Sequence, residues 1–125
     1  MTASDAFVEL LKDSLRGLGP VGVRRMFGGA GVYADGLMFG LVADDTFYLK
    51  ADDETKSAFE AEALAAFAYE SNGRTISLSY WRIPERLLDD PDEMLSWART
   101  ALGVAGRKAR RAAPRKAASK VRGRA

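Results

Sequence analysis

The chain has 125 residues, no cysteine and no histidine, and it sets 19 lysines and arginines against 17 acids for a formal charge of +2. That length suits one ordinary domain, and the missing residue types exclude disulfides, thiolate zinc sites, histidine-ligated metals and Ser–His or Cys–His nucleophiles. No apolar run approaches the roughly 20 residues of a membrane-spanning helix, and the first residues lack the basic stretch of a signal peptide, so the cytoplasm is the expected compartment.

The segment from Ser4 to Leu18 sets Phe7, Leu10, Leu11, Leu15 and Leu18 on one stripe at helical spacing. Ser4 or Asp5 suits its N-cap, and Gly17, Gly19 and Pro20 end it. From Val23 to Ala51 the period changes to that of strands. Arg24-Arg25-Met26-Phe27 leads through Gly28-Gly29-Ala30-Gly31 into Val32-Tyr33-Ala34, and the glycines read as a bulge or bend in one strand. They lack both the GxGxxG spacing and the helix start that a phosphate cradle needs.

Asp35-Gly36 signals a tight hairpin turn, Leu37 to Ala43 is the return strand, Asp44-Asp45 turns again, and residues 46–50 make a third strand. Turns this short can only join antiparallel neighbours. Asp52 or Asp53 caps a helix running to about Ala65. Phe67 to Glu70 and Arg74 to Trp81 flank Ser71-Asn72-Gly73, a second hairpin signal that ends at Pro84. Asp90-Pro91-Asp92-Glu93 starts a last helix with buried positions at Met94, Trp97, Ala98, Ala101 and Leu102, fading near Gly103 or Gly106. The order α-β-β-β-α-β-β-α gives an α+β, two-layer fold: a five-stranded antiparallel sheet with three helices on one face.

The net charge conceals a division. Arg107, Lys108, Arg110, Arg111, Arg115, Lys116, Lys120, Arg122 and Arg124 are nine of the 19 cations, and no acid follows Glu93. The first 105 residues therefore hold ten cations against 17 acids, a net charge of −7. Residues 1–105 read as the domain. Residues 106–125, poor in apolar bulk apart from alanine and interrupted by Pro114 and Gly123, read as a disordered basic tail. Cations spaced by small residues suit the phosphates of nucleic acid, DNA rather than RNA. With no aromatic ring to stack on bases, such binding is non-specific. The alternative is a solubilising tail, or one that folds back on the acidic domain.

Arg24 and Arg25 point to opposite faces of a regular strand, so one faces solvent or a partner while the other pairs with an acid such as Glu70 or Asp35. In residues 74–81, one phase buries Ile76 and Leu78 under the helices and leaves a polar face carrying Tyr48 and Trp81. Arg24, Arg25, Tyr48 and Trp81 are thus the candidate surface for a partner or a homodimer, with ordinary sheet packing as the equal alternative. Asp44-Asp45 and Asp52-Asp53-Glu54 lack the spacing of a calcium loop, and turn and cap roles account for them. No spacing singles out a catalytic residue, a metal site or a cofactor.

Arg24-Arg25-Met26-Phe27-Gly28-Gly29, Gly31-Val32-Tyr33, Asp35-Gly36-Leu37-Met38-Phe39 and Phe47-Tyr48-Leu49-Lys50 resemble the amino-terminal domain of the TfoX (Sxy) family of bacterial competence regulators. Phe67, Tyr69, Tyr80, Pro84 and Trp97-Ala98 extend the resemblance over roughly residues 4–103. It implies a sheet like that of secretion chaperones, no enzymatic activity, and a link to transcription of competence genes through a transcription-factor partner. Longer family members carry a second, carboxy-terminal domain where this sequence has its basic segment. The expected function is a non-catalytic regulatory or accessory protein, placed in the cytoplasm or on the nucleoid, whose tail holds nucleic acid. The alternative is a protein-interaction module.

Overall fold

The structure is a computed structural model and describes residues 2–112. Its core element is a six-stranded antiparallel sheet: β1 (Gly22–Met26), β2 (Gly29–Ala34), β3 (Leu37–Ala43), β4 (Thr46–Lys50), β5 (Ala66–Ser71) and β6 (Arg74–Arg82). The spatial order is β1-β2-β3-β4-β6-β5. Helices α1 (Asp5–Ser14), α2 (Lys56–Glu60) and α3 (Pro91–Ala112) contribute to one apolar core with one phase of the strands. The α+β class and the antiparallel sheet are as expected, with six strands in place of five.

The extra strand comes from the glycine run. Phe27 and Gly28 both take positive φ, at 49° and 80°, and close a two-residue hairpin in which Met26 pairs with Gly29. What reads as one bent strand is two strands and a turn. The same left-handed pair recurs at Asp35-Gly36, Asp44-Asp45 and Asn72-Gly73, and turns of this hand match the twist of the strands they join. Gly29 is needed for a separate reason: a Cβ there would collide with the Val42 carbonyl oxygen.

Helix α1 is capped by Ser4, whose Oγ accepts from the Phe7 amide at 3.2 Å. The Ser4 amide itself donates to Asp45 Oδ1 at 2.7 Å, which fixes the helix start to the β3–β4 turn. The buried stripe is Val8, Leu11 and Leu15; Leu10, expected inside, is 43% exposed. Between sheet and helices, Phe39, Phe47, Leu49, Leu87 and Met94 are fully buried. Each such side chain contributes about 1.5–3 kcal/mol of transfer free energy.

Helix α3 begins as the sequence signals, with Asp90 Oδ1 accepting from the Glu93 amide at 3.1 Å. It does not fade at Gly103 or Gly106 but runs to Ala112. Burial explains the extension: Val104, Ala105 and Gly106 are all buried. Residues 106–112, assigned above to a disordered tail, are therefore helical, and the division at 105/106 falls inside α3. The rest of the expected tail, 113–125, lies outside the described residues.

Candidate functional site

The ladder register determines what each face of the sheet carries. Ala30, Val32, Val42, Phe47 and Leu49 share the helix-covered phase. The opposite phase, which the helices do not cover, holds Arg24 and Met26 on β1, paired with Gly31 and Gly29. It continues through Tyr33, Met38 and Leu41 to Tyr48, and then to Tyr80. Phe67 belongs to it too, meeting Tyr48 edge-on at 5.2 Å and Tyr69 at 6.2 Å between ring centroids. A groove of about 400 Å³ lies on this face, lined by Met26, Phe27, Met38, Leu41, Phe67, Tyr69, Leu78 and Tyr80. Phe27, at the tip of the first hairpin, is 91% exposed.

The charges on this face are of one sign. Among the described strand residues, those in the uncovered phase that ionise near neutrality are Arg24, Lys50, Arg74 and Arg82, and none is a carboxylate. The Arg24 guanidinium lies 5.5 Å from the Tyr33 ring centroid, and Lys50 Nζ lies 4.7 Å from that of Tyr80. Such contacts hold a cation at an aromatic surface without neutralising it. Burial, and after it the neighbouring Lys108 ammonium, lowers the Lys50 pKa. Burial also pushes the Tyr80 hydroxyl up to about 12, with a smaller contribution from Tyr33. That hydroxyl donates to the Met38 carbonyl at 3.3 Å.

Arg24 and Arg25 do point to opposite faces, as strand geometry requires. Arg25 turns to the helix side and binds Asp5 and the Ala3 carbonyl, not Glu70 or Asp35. Tyr48 lies on the uncovered face. Trp81 does not: it pairs with Leu49 across the ladder and packs beside Phe59, with 6.0 Å between centroids. The phase proposed for β6 is thus inverted. Ile76, Leu78 and Tyr80 face away from the helices, and Trp81 faces them. The inversion follows from pairing parity, because Lys50 opposes Tyr80 and Leu49, the buried residue, opposes Trp81. Sequence alternation alone contains no such partner. Tyr69, Leu78 and Tyr80 escape the sequence reading for this reason, and Phe27 because its turn reads as a bulge.

The basic end is divided. Arg107 is held by Asp52, Nη2 to Oδ2 at 3.1 Å, while Lys108, Arg110 and Arg111 are exposed on the last turns of α3. Arg115, Lys116, Lys120, Arg122 and Arg124 lie outside the described residues. Lys108 reaches a hollow of about 220 Å³ that also touches Lys50, Met38 and Tyr80, so α3 carries its cations to the edge of the uncovered face. Among the described residues, no group of three or more His, Cys, Asp or Glu side chains is placed to hold a metal, and no helix is long and apolar enough to cross a membrane.

An antiparallel sheet backed by helices on one side and left aromatic and cationic on the other defines an α+β module with one sheet face uncovered by helices. The TfoX N-terminal domain family matches residues 13–105, and the chain belongs to that family. It is similar to DNA transformation protein TfoX1 of Aliivibrio fischeri, at 28% identity over 85 residues, which cover 68% of this chain and 41% of the relative. It is similar also to protein Sxy of Escherichia coli, at 24% identity over 94 residues, covering 75% of this chain and 45% of that protein. The matched region thus spans less than half the length of either relative.

Proposed function

We propose that the chain is a non-catalytic regulatory module of DNA transformation that works in the cytoplasm, tethered to nucleic acid by its basic carboxy-terminal segment and engaging a protein through its folded part. Family membership and the similarity to DNA transformation protein TfoX1 of Aliivibrio support the regulatory role. The observation that carries the tether is the charge division: nine cations and no acid within residues 107–124, following 105 residues of net charge −7. Helix α3 adds to it, since Lys108, Arg110 and Arg111 extend into solvent where phosphates reach them. Cations that meet phosphates displace condensed counterions, so affinity is salt-dependent and nearly blind to sequence. Double-stranded DNA is the favoured ligand.

The test is a salt titration of duplex binding by the full chain and by a variant in which Arg115, Lys116, Lys120, Arg122 and Arg124 are replaced by serine. With about six phosphates engaged, the log–log slope against salt is about −5, and each lost contact flattens it by about 0.9. Equal affinity and equal slope for the two proteins remove the segment from the mechanism.

A further inference from the structure

We propose that the uncovered sheet face is a docking groove for an acidic, amphipathic peptide segment of a partner protein, its apolar side chains seated between Phe27 and Leu78 and its carboxylates on Arg24 and Lys50. The inference rests on the reading that the folded part serves a protein partner, and it supplies the chemistry of that partner.

Three observations carry it. The groove of about 400 Å³ is walled by Met26, Phe27, Met38, Leu78 and Tyr80, and it opens to solvent where a stable monomer would gain by covering it. Methionine at two of these positions gives an adaptable surface of the kind that accepts helical or extended segments. Phe27 is the second observation: it combines 91% exposure with φ of 49°, a conformation that asparagine or glycine adopts at less cost. An aromatic ring held there against both solvation and backbone preference is what a contact residue requires.

The third is charge. The first 105 residues carry −7 overall, yet the charged strand positions of this face are all cations: Arg24, Lys50, Arg74 and Arg82. Arg82 is committed to Glu85 at 3.5 Å, which leaves Arg24, Lys50 and Arg74. Of these, Arg24 lies over the Tyr33 ring and Lys50 over that of Tyr80, a residue of the groove lining; Lys50 Nζ also donates to Ser79 Oγ at 2.8 Å, with Lys108 of α3 next to it. Segregation of one sign against the sign of the whole selects the opposite sign in a partner.

The same features disfavour the other occupants. A second copy would bring one cationic rim onto another. The chain's own residues 113–125 are cationic and would be repelled. A single nucleic-acid strand needs a run of flat rings open to successive bases; here Phe27 and Tyr69 are exposed, but Phe67 is buried with Tyr48 edge-on against it, and Met26, Met38, Leu41 and Leu78 make up much of the remaining lining.

The test is selection from a displayed library of random 16-residue peptides on the full-length chain at physiological salt, counter-selected on full-length Leu78→Glu, which retains every cation of the carboxy-terminal segment. Peptides that bind only that segment are removed, so this result is independent of the duplex titration. The expected survivors carry net negative charge and apolar residues three or four apart. They should lose about tenfold in affinity on Leu78→Glu or Phe27→Asn and several-fold on Arg24→Gln, as central and rim contacts do. The proposal is overturned by survivors without acidic bias, by survivors indifferent to these substitutions, or by no survivors at all. Binding of an oligo-dT strand that the same substitutions abolish replaces it with a single-strand platform. Dimerisation in sedimentation that Leu78→Glu abolishes replaces it with a second copy.

Discussion

Arg107 Nη2 and Asp52 Oδ2 meet at 3.1 Å across 55 positions of sequence, joining the late turns of α3 to the loop that leads into α2. The Asp52 carboxylate also accepts from the backbone amides of Glu54 and Thr55, at 3.1 and 2.9 Å. One side chain therefore orders the approach to α2 and fixes the direction in which α3 leaves the core. Lys108, Arg110 and Arg111, which follow Arg107 on the same helix, inherit that direction.

The ion pair predicts a defined acid dependence. Burial opposes ionisation of Asp52, but the Arg107 guanidinium and the amides of Thr55 and Glu54 outweigh it, so its pKa falls from 3.8 to about 2. A carboxyl whose folded pKa is depressed stabilises the fold above its unfolded value, and that stability is lost as pH drops through the folded one. Urea unfolding of the full chain should thus weaken between about pH 4 and 2, and Asp52→Asn should flatten that part of the profile. At neutral pH, Asp52→Ala should cost about 1–2 kcal/mol through the lost turn bonds and ion pair. Arg107→Ala should cost less, about 0.5–1 kcal/mol.

The first hairpin predicts different costs at adjacent glycines. Gly28, at φ 80°, is required by backbone conformation, while Gly29 is required by space, because its Cβ would meet backbone oxygen rather than a side chain that can move. Gly28→Ala should lose about 1 kcal/mol, and Gly29→Ala about 2–3 kcal/mol as β2 is forced away from β3. Denaturant midpoints measured at constant m-value separate the two; equal losses would mean that the collision relaxes freely.

The same hairpin shows where the sequence was legible. Asp35-Gly36 and Asn72-Gly73 announce their turns because their residues tolerate positive φ, and Asp90 and Ser4 announce their helices because their side chains cap. Phe27-Gly28 announces nothing, since phenylalanine is a poor left-handed residue, and the glycines beside it read equally as a bulge. The face of β6 was illegible for another reason. Alternation divides Tyr80 from Trp81 without saying which side the helices cover, and only the pairing of Trp81 with Leu49 decides it. The end of α3 differs because glycine at 103 and 106 resembles a stop in sequence, whereas burial of Val104, Ala105 and Gly106 carries the helix through both positions.

Tyr80 predicts an alkaline limit. Burial holds its hydroxyl at about 12, so the folded chain resists ionisation that the unfolded chain undergoes near 10. A raised pKa gives stability that is complete below the unfolded value and is lost as pH climbs through the folded one. Unfolding free energy should therefore fall between about pH 10 and 12, by roughly 1–2 kcal/mol from this group. Tyr80→Phe should remove that component. At neutral pH the loss of its 3.3 Å bond to the Met38 carbonyl should cost no more than about 1 kcal/mol.

Phe27 separates stability from recognition. Its ring gains little from folding at 91% exposure, and its φ of 49° belongs to the region where asparagine is enriched. Phe27→Asn should leave the unfolding free energy unchanged or raise it by up to about 0.5 kcal/mol, since an Asn-Gly pair is the preferred sequence for this turn. A residue whose replacement improves the turn while weakening a surface contact is held for the contact. Thermal unfolding of the variant is the measurement. A loss of more than about 1 kcal/mol would mean that the ring anchors the hairpin to the groove walls in the free protein, and its exposure would then be no guide to a partner.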